Sequence, residues 1–415
     1  MLPKRALVLG LARSGEAAAL ALASQGVEVV GVDRRADLDA GRLRAQGVEV
    51  HLGADDPVLL DGVDVLVKSP GVPSEASLVA AARKRGVTVW SEVELGARLL
   101  PNPILGVTGT NGKTTTTELL GTIFAAAGRP AAVAGNVGRP LTGLAGALSE
   151  EAWVVCELSS FQLEDIHDFR PHIAILLNLT PDHLDRHGTF ERYREMKLRV
   201  FENQQAEDVA VVPRGFPEVP GAARRAEFAA DDELPAEPSI PGRHNRENAA
   251  AATAAARAAG IADDAIAEGL RTFQGVPHRL ELVREVEGVR FVNDSKATNP
   301  EAAAQALTAY PPGLRLIVGG SLKGTPFAGL ARAAGQRGVA RAYLIGEAAD
   351  ELAEALAKEG VRFTHSRELE AAVRDAFADA EAGEVVLLSP ACASYDQFES
   401  FEERGARFRE LVEAL

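Results

Sequence analysis

The sequence predicts an α/β protein of three domains, each a mostly parallel sheet flanked by helices. Three observations carry this reading. The chain has 415 residues, close to three times the roughly 150 residues of an ordinary domain. Short β-branched segments alternate with alanine- and leucine-rich stretches of helical period, the pattern of strand–crossover–strand units. Several glycine-rich turns follow directly on such segments, where an open α/β sheet presents its ligand sites.

The elements follow in order. A first domain over residues 1–91 reads as strands at 6–9, 27–32, 49–52, 63–68 and 87–90, with helices at 15–25 and 77–85. Pro101-Asn102-Pro103 punctuates the next start. A second domain over 92–276 carries strands at 104–107, 152–156, 173–177 and 209–212, then a proline-rich loop or hairpin at 213–241 and an alanine-rich helix at 248–259. Gly275-Val276-Pro277 reads as a hinge. A third domain over 277–415 has strands at 289–292, 314–318, 342–345 and 385–388.

Bulk composition narrows the function. The formal charge is −15, which argues against nucleic acid as a partner, since that calls for a basic surface. The two cysteines, Cys156 and Cys392, lie in apolar stretches without metal or disulfide spacing, as in a reducing cytoplasm. The opening MLPKRALVLGLARSG has too short an apolar core for a signal peptide, and Arg13 interrupts it, so a buried first strand is expected. No run approaches the ~18 apolar residues of a membrane span. Only eight of the 44 basic residues are lysines. Where lysine stands in place of arginine, a compact charge or a reactive amine is the reason to look for.

Residues 106–117 read GVTGTNGKTTTT. Gly109, Thr110, Asn111 and Gly112 form a turn after a strand, and Lys113, Thr114 and Thr115 open a helix. Backbone N–H groups, the helix N-terminus and Lys113 make a phosphate cradle, and the Thr114 hydroxyl is placed to hold Mg²⁺. Position 107 is Val, so Gly109 takes the role of the first glycine of the usual motif. An ordinary glycine-rich turn is the bland alternative, and Lys-Thr directly after Gly112 weighs against it.

Other segments keep two readings open. Glu157 ends a buried strand near the cradle, either as an Mg²⁺ holder or as a carboxylate facing water. Residues 178–188 crowd Asn178, Asp182, His183, Asp185 and His187 into one loop, either metal-capable or simply solvated. Lys197 falls beside the helical stripe of Phe190, Tyr193, Val200 and Phe201, where its ammonium must snorkel, pair or change protonation; from these residues alone snorkelling is expected. The segment RHNREN at 243–248 either caps a helix or offers amides to a nucleobase. Arg279, Lys296 and Lys323 are cations at strand ends of the third domain, structural or lining an anion cleft against the second. In the first domain GLARSG at 10–15 with Asp33 is half of a dinucleotide fingerprint, with Ala12 where the second glycine belongs. Ser69-Pro70-Gly71 completes a nucleotide crevice.

GTNGKTTTT, ELSSFQLE, NLTPDHLDRHG, YREMKLRVFEN, HNRENAAAA, PHRLE, NDSKATNP, GGSLKG and SPACASYDQF occur in this order. Together they resemble the Mur ligase family, in its D-glutamate-adding branch, over nearly the whole chain. NDSKATNP and SPACASYDQF are the branch-specific motifs, whereas the cradle is shared with folylpolyglutamate synthetases. The segment at 213–241 looks short for the family.

The resemblance implies a Rossmann-like N-terminal domain, a P-loop ATPase-like central domain and a Rossmann-like C-terminal domain. It implies ATP-dependent addition of D-glutamate to UDP-N-acetylmuramoyl-L-alanine through an acyl phosphate, by a cytoplasmic monomer with two Mg²⁺ ions and small-molecule substrates. Lys113 and Thr114 would hold phosphates and one Mg²⁺ with Glu157. His183 would face a second Mg²⁺ together with Lys197, which matches the family's carbamylated lysine. Asn136 and His183 would lie near the muramoyl substrate. Asn248 would contact adenine, with Arg279 and Asp294 also serving the nucleotide. Lys296, Thr298, Lys323, Ser394 and Phe401 match the D-glutamate side, and Ser14, Asp33, Ser69 and Gly71 the UDP end. The rival classes are a sister ligase, an NAD-dependent oxidoreductase, disfavoured by Ala12 and the separate cradle, and a P-loop switch, disfavoured by the cations of the third domain.

Overall fold

The computed structural model describes residues 2–136, 138–322 and 325–415. It contains three sheets. The first comprises β1 (Arg5–Leu9), β2 (Glu28–Asp33), β3 (Glu49–Leu52), β4 (Val65–Lys68) and β5 (Thr88–Ser91), in the order β3-β2-β1-β4-β5. All its pairs are parallel. Alternate side chains point to opposite faces: Ala6, Val8 and Val67 pack with Leu22, while Leu7, Leu66 and Val89 pack with Val79. Strand order reverses between β1 and β4, so the turns after Leu9 and Lys68 lie side by side at a ligand-binding switch point.

The second sheet comprises β6 (Ile104–Thr108), β7 (Ala131–Gly135), β8 (Trp153–Glu157), β9 (Ile173–Leu176), β10 (Val209–Pro213) and β11 (Arg224–Phe228), in the order β11-β10-β9-β6-β8-β7. Here too every pair is parallel. Residues 213–241 are therefore neither a plain loop nor a hairpin, since β11 runs parallel to β10. Its sequence, RRAEF, is that of a half-exposed edge strand, with no alternation long enough to read. β6 lies between β8 and β9, with Val107 beside Glu157 and Thr108 beside Leu176. The glycine-rich turn after Thr108 is thus flanked by Glu157 on one side and by the loop from Leu177 on the other. The helix Lys113–Ala126 packs against Arg243–Ala258 and Asp263–Thr272.

The third sheet comprises β12 (Glu281–Val286), β13 (Val289–Asn293), β14 (Arg315–Gly319), β15 (Arg341–Ile345), β16 (Phe363–Arg367) and β17 (Val385–Leu388), in the order β12-β13-β17-β14-β15-β16. Only β12 is antiparallel, as an edge strand on β13. β17 lies between β13 and β14, which brings NDSKATN, GGS and SPACAS to one sheet edge.

The chain forms two compact units, Met1–Phe273 and Gln274–Leu415. Inside the first unit, Glu94 is fully buried in the helix Glu92–Leu99. Its carboxylate accepts backbone N–H groups of His167, Asp168 and Phe169 and pairs with Arg98. That set of bonds satisfies an anion that would otherwise be costly to bury, and it ties the helix Glu92–Leu99 to the segment that leads into β9. Among the described residues no helix is long and apolar enough to cross a membrane.

Candidate active site

The phosphate-cradle turn is built as its residues require. Gly109 and Gly112 take φ of 156° and 85°, and glycine adopts such values without strain. A Cβ on Gly112 would lie 2.2 Å from Asn248 Oδ1. Asn248 is thus buried directly against the turn, in the second turn of Arg243–Ala258. The N-cap of that helix is Gly242, without a side-chain cap bond, so the capping reading of Asn248 is set aside. Gly112→Ala is expected to cost about 1–2 kcal/mol from its left-handed φ alone, and to weaken ATP binding by displacing Asn248. Thermal unfolding and an ATP titration of the variant check both.

Neighbouring loops hold the turn in shape. Asn178 accepts the Asn111 N–H at 2.9 Å and donates to the Asn111 carbonyl at 3.1 Å. Thr110 Oγ1 meets the Thr180 carbonyl and the Tyr193 hydroxyl, each at 3.1 Å. Thr114 and Thr115 are buried at the start of the helix. Lys113 donates to the carbonyls of Gly109 and Thr110 at 3.0 and 2.8 Å.

Lys197 does not snorkel. It is 2 % exposed, lies over the Tyr193 ring, and donates to the same Gly109 carbonyl at 2.7 Å. Burial, and then the charge of Lys113, push its pKa well below the ordinary lysine value, against the opposing pull of Asp182 and Glu157. Two amines converging on one carbonyl favour the neutral form of the buried one.

Glu157 is buried at the end of β8. Its Oε1 accepts from Asn136 Nδ2 at 3.0 Å, and the Asn136 N–H donates to the Glu157 carbonyl. Its Oε2 is buried with no hydrogen-bond partner. A buried, half-satisfied carboxylate costs free energy unless something positive meets it. This fits a hard divalent cation of the Mg²⁺ type.

The described side chains of the loop at 178–188 form no metal cage. Among the described residues no three His, Cys, Asp or Glu side chains converge as ligands. Asn178 is occupied in clasping Asn111. His187 stacks on Phe161 and bonds Ser160 Oγ. His183 has a left-handed φ of 51° and stays half-exposed beside Asp182. The Asp185 side chain lies outside the described set.

At the first sheet, Asp33 holds the turn after β1. Its two oxygens accept the Leu11 N–H at 2.7 Å and the Arg35 N–H at 2.9 Å. Burial alone would raise its pKa, and these bonds outweigh burial and lower it. Ser69 Oγ donates to the Gly10 carbonyl at 2.7 Å. A Cβ on Gly15 would lie 1.7 Å from that same carbonyl oxygen. Ser14 is half-buried in the first turn of the helix Arg13–Ser24, and Gly71 is exposed.

In the second unit, Asp294 is fully buried after β13, bonded by Ser389 Oγ at 2.7 Å and by the Leu280 N–H at 3.2 Å. Burial pushes its pKa up to about 7, against Ser389 and the charge of Arg279. The folded state therefore binds a proton that the unfolded chain has lost between about pH 4 and pH 7. Stability falls as pH rises through that window, by an amount on the order of a few kcal/mol. Asp294→Asn is expected to remove this slope in denaturant titrations at pH 4, 5.5 and 7.

Sequence reasoning missed Arg404. It is buried, donates to Ser295 Oγ and to the carbonyls of Ser295, Cys392 and Ala393, and is pushed down to about 10 by burial. It pins the Ser295 and Ala393 loops together. The only available signal is its place in a helical apolar stripe with Phe408. A cavity of about 110 Å³ lies between these loops, lined by Thr298, Asn299, Ser321, Phe327 and Cys392 among others. Lys296 donates its N–H to the His278 carbonyl, and the Phe401 ring meets His278 edge-on. Ser394 is buried. Lys323 lies outside the described residues.

Three mostly parallel sheets and a P-loop bounded by a buried carboxylate and a buried lysine place the chain among nucleotide-dependent α/β enzymes. Three family models match it: "Mur ligase MurD-like, N-terminal domain" over residues 4–91, "Mur ligase middle domain" over 107–228, and "Mur ligase, glutamate ligase domain" over 278–392. The chain belongs to the Mur ligase family. Similar relatives are the UDP-N-acetylmuramoylalanine–D-glutamate ligases of Solibacter usitatus and Myxococcus xanthus. Each is 43% identical, with 99% of this chain and 98% of the relative covered. Among solved structures, Thermotoga maritima UDP-N-acetylmuramate-alanine ligase aligns with TM-score 0.59 and 19% identity over 100% of both chains. MurF ligase of the same organism in complex with ADP aligns with TM-score 0.60 and 20% identity, over 93% of this chain and 94% of that one. At such identities these structures establish the fold.

Proposed function

We propose that the chain is an ATP-dependent, ADP-forming ligase that adds D-glutamate to UDP-N-acetylmuramoyl-L-alanine in peptidoglycan precursor synthesis. The full-length identity of 43% to D-glutamate ligases is the observation that carries it. The P-loop with Lys113, Glu157 and Lys197 around it supports the ATP half of the reaction.

Residues 1–91 take the uridine nucleotide end, with Ser14, Asp33, Ser69 and Gly71 as contacts. Residues 92–276 take ATP on Gly109 to Thr115 and Asn248. Residues 277–415 supply Arg279 and Asp294 to the nucleotide, and Lys296, Thr298, Lys323, Ser394 and Phe401 to D-glutamate. Thr114 and Glu157 would hold one Mg²⁺, and His183 and a carbamylated Lys197 a second. Such ions would neutralise the phosphate oxygens that repel an incoming carboxylate. The protein acts as a monomer in the cytoplasm.

The chemistry follows from charge. Lys113 offsets the negative γ-phosphate while the alanyl carboxylate attacks phosphorus and ADP leaves. Asn136 holds Glu157 in place beside that site. The D-glutamate amine then attacks the acyl carbon, loses a proton, and phosphate departs as the amide forms. Substrate labelled with ¹⁸O in the alanyl carboxylate is expected to deliver one label to the released phosphate, read by mass spectrometry. Unlabelled phosphate alongside amide product would rule out the acyl phosphate.

A further inference from the structure

Lys68 belongs neither with the surface lysines nor with the cations proposed for the site. It closes β4, immediately before Ser69, and is 1 % exposed. Its ammonium reaches Asp165 Oδ2 at 2.6 Å and Glu164 Oε2 at 3.2 Å, and donates to Ser74 Oγ at 2.8 Å. Ser74 Oγ also bonds Glu164 Oε2. Arg83, from the helix Ser77–Lys84, pairs with the other oxygen of Asp165 at 2.7 Å. Burial alone would raise the Glu164 pKa, and Lys68 and Ser74 more than offset it, so the carboxyl sits below its ordinary value.

This cluster joins two working parts of the first unit. Glu164 and Asp165 lie just past the short helix Ser160–Leu163, which follows Glu157 after two residues. Lys68 and Ser74 bracket the turn Ser69–Pro73. That turn is held at its start by the Ser69 bonds to the carbonyls of Leu9 and Gly10. It is held at its end by Ser74 on Lys68 and Glu164. A buried ion cluster contributes little net stability over an apolar replacement, and its best-attested use is to fix one geometry.

We infer that Lys68 is a positioning residue. It sets the turn Ser69–Pro73 at a fixed place relative to the strand end that carries Glu157, so that the muramoyl-alanyl end of a nucleotide-sugar held at this turn arrives at the phosphate cradle. The inference rests on the function proposed above. Losing the ammonium releases the Ser74 end of the turn and leaves two neighbouring carboxylates to repel each other, while the cradle keeps its own bonds to Asn178 and Tyr193. The effect is therefore selective for one substrate.

Steady-state kinetics on the full chain tests this. Lys68→Met is expected to raise KM for UDP-N-acetylmuramoyl-L-alanine at least about tenfold, with KM for ATP and for D-glutamate within twofold of wild type. Glu164→Gln, which removes a partly exposed charge and carries less folding risk, is expected to shift the same KM in the same direction by a few-fold. Folded variants whose three KM values stay within twofold, or rise together, overturn the positioning role. Wild-type turnover in the same assay separates the two claims. An inactive wild type removes the proposed function and this inference with it, whereas an active wild type with unselective variants removes only the role of Lys68.

Discussion

Lys197→Ala is expected to lower turnover by roughly a thousandfold, the scale of losing a preorganised charge at a transition state, and short-chain carboxylates are expected to restore part of it. The reason lies in the burial of this side chain. An ammonium at 2 % exposure, beside Lys113 and bonded to the Gly109 carbonyl, is an expensive group to keep charged. Burial, and then the charge of Lys113, push its pKa down toward the neutral amine, the form that would attack CO₂. In the carbamate proposed here the N–C bond would form as the amine loses a proton, and a buried amine would become an anion able to meet Mg²⁺. Formate or acetate can occupy the space left by the truncated side chain and supply the missing carboxylate. A purely structural lysine, propping the turn through Gly109, would give a variant that no added carboxylate rescues. A variant with full activity would refute any role at the site.

Lys113→Ala is the second large effect. Turnover is expected to fall at least a thousandfold, as when a charge contacting the transferred phosphoryl group is removed, with thermal unfolding within a few degrees of wild type. Lys113 is only half-buried, and it donates to two carbonyls of its own turn. Those carbonyls can turn to water once it is gone, so the fold loses little. Binding of ATP read by calorimetry separates the cases. Weak ATP binding with normal unfolding fits the cradle. Retained turnover would sink the assignment of this turn to the triphosphate.

Much of this arrangement is legible in the sequence. β-branched runs such as 104–107 and 385–388 are buried on both faces, so each shows as a continuous apolar segment. The turn GTNGK needs glycine where φ is positive and a charge where phosphate sits, and both needs are written in residue types. Elements whose stability comes from their neighbours were harder to read. Arg224–Phe228 and Glu281–Val286 are half-exposed edge strands rich in charge, and Ala131–Gly135 is made of small residues, so none carries a strong period. The burial of Lys197 was also hidden, because an apolar stripe beside a lysine equally suits a snorkelling side chain. Lys68 and Arg404 were missed for a related reason. Each satisfies its charge with groups distant in sequence, Glu164 and Asp165 for Lys68 and the Ser295 and Cys392 loops for Arg404. The rarity of lysine in this chain was the one hint that Lys68 has a specific task.

This chain joins D-glutamate to a muramoyl-alanyl carboxylate at the expense of ATP. The direct measurement is phosphate release with ATP, Mg²⁺ and UDP-N-acetylmuramoyl-L-alanine, comparing D-glutamate, L-glutamate, D-alanine, L-alanine and a diamino acid. Release with D-glutamate alone is the predicted result. Release with a different amino acid, or with none from folded protein that still binds ATP, would contradict the account.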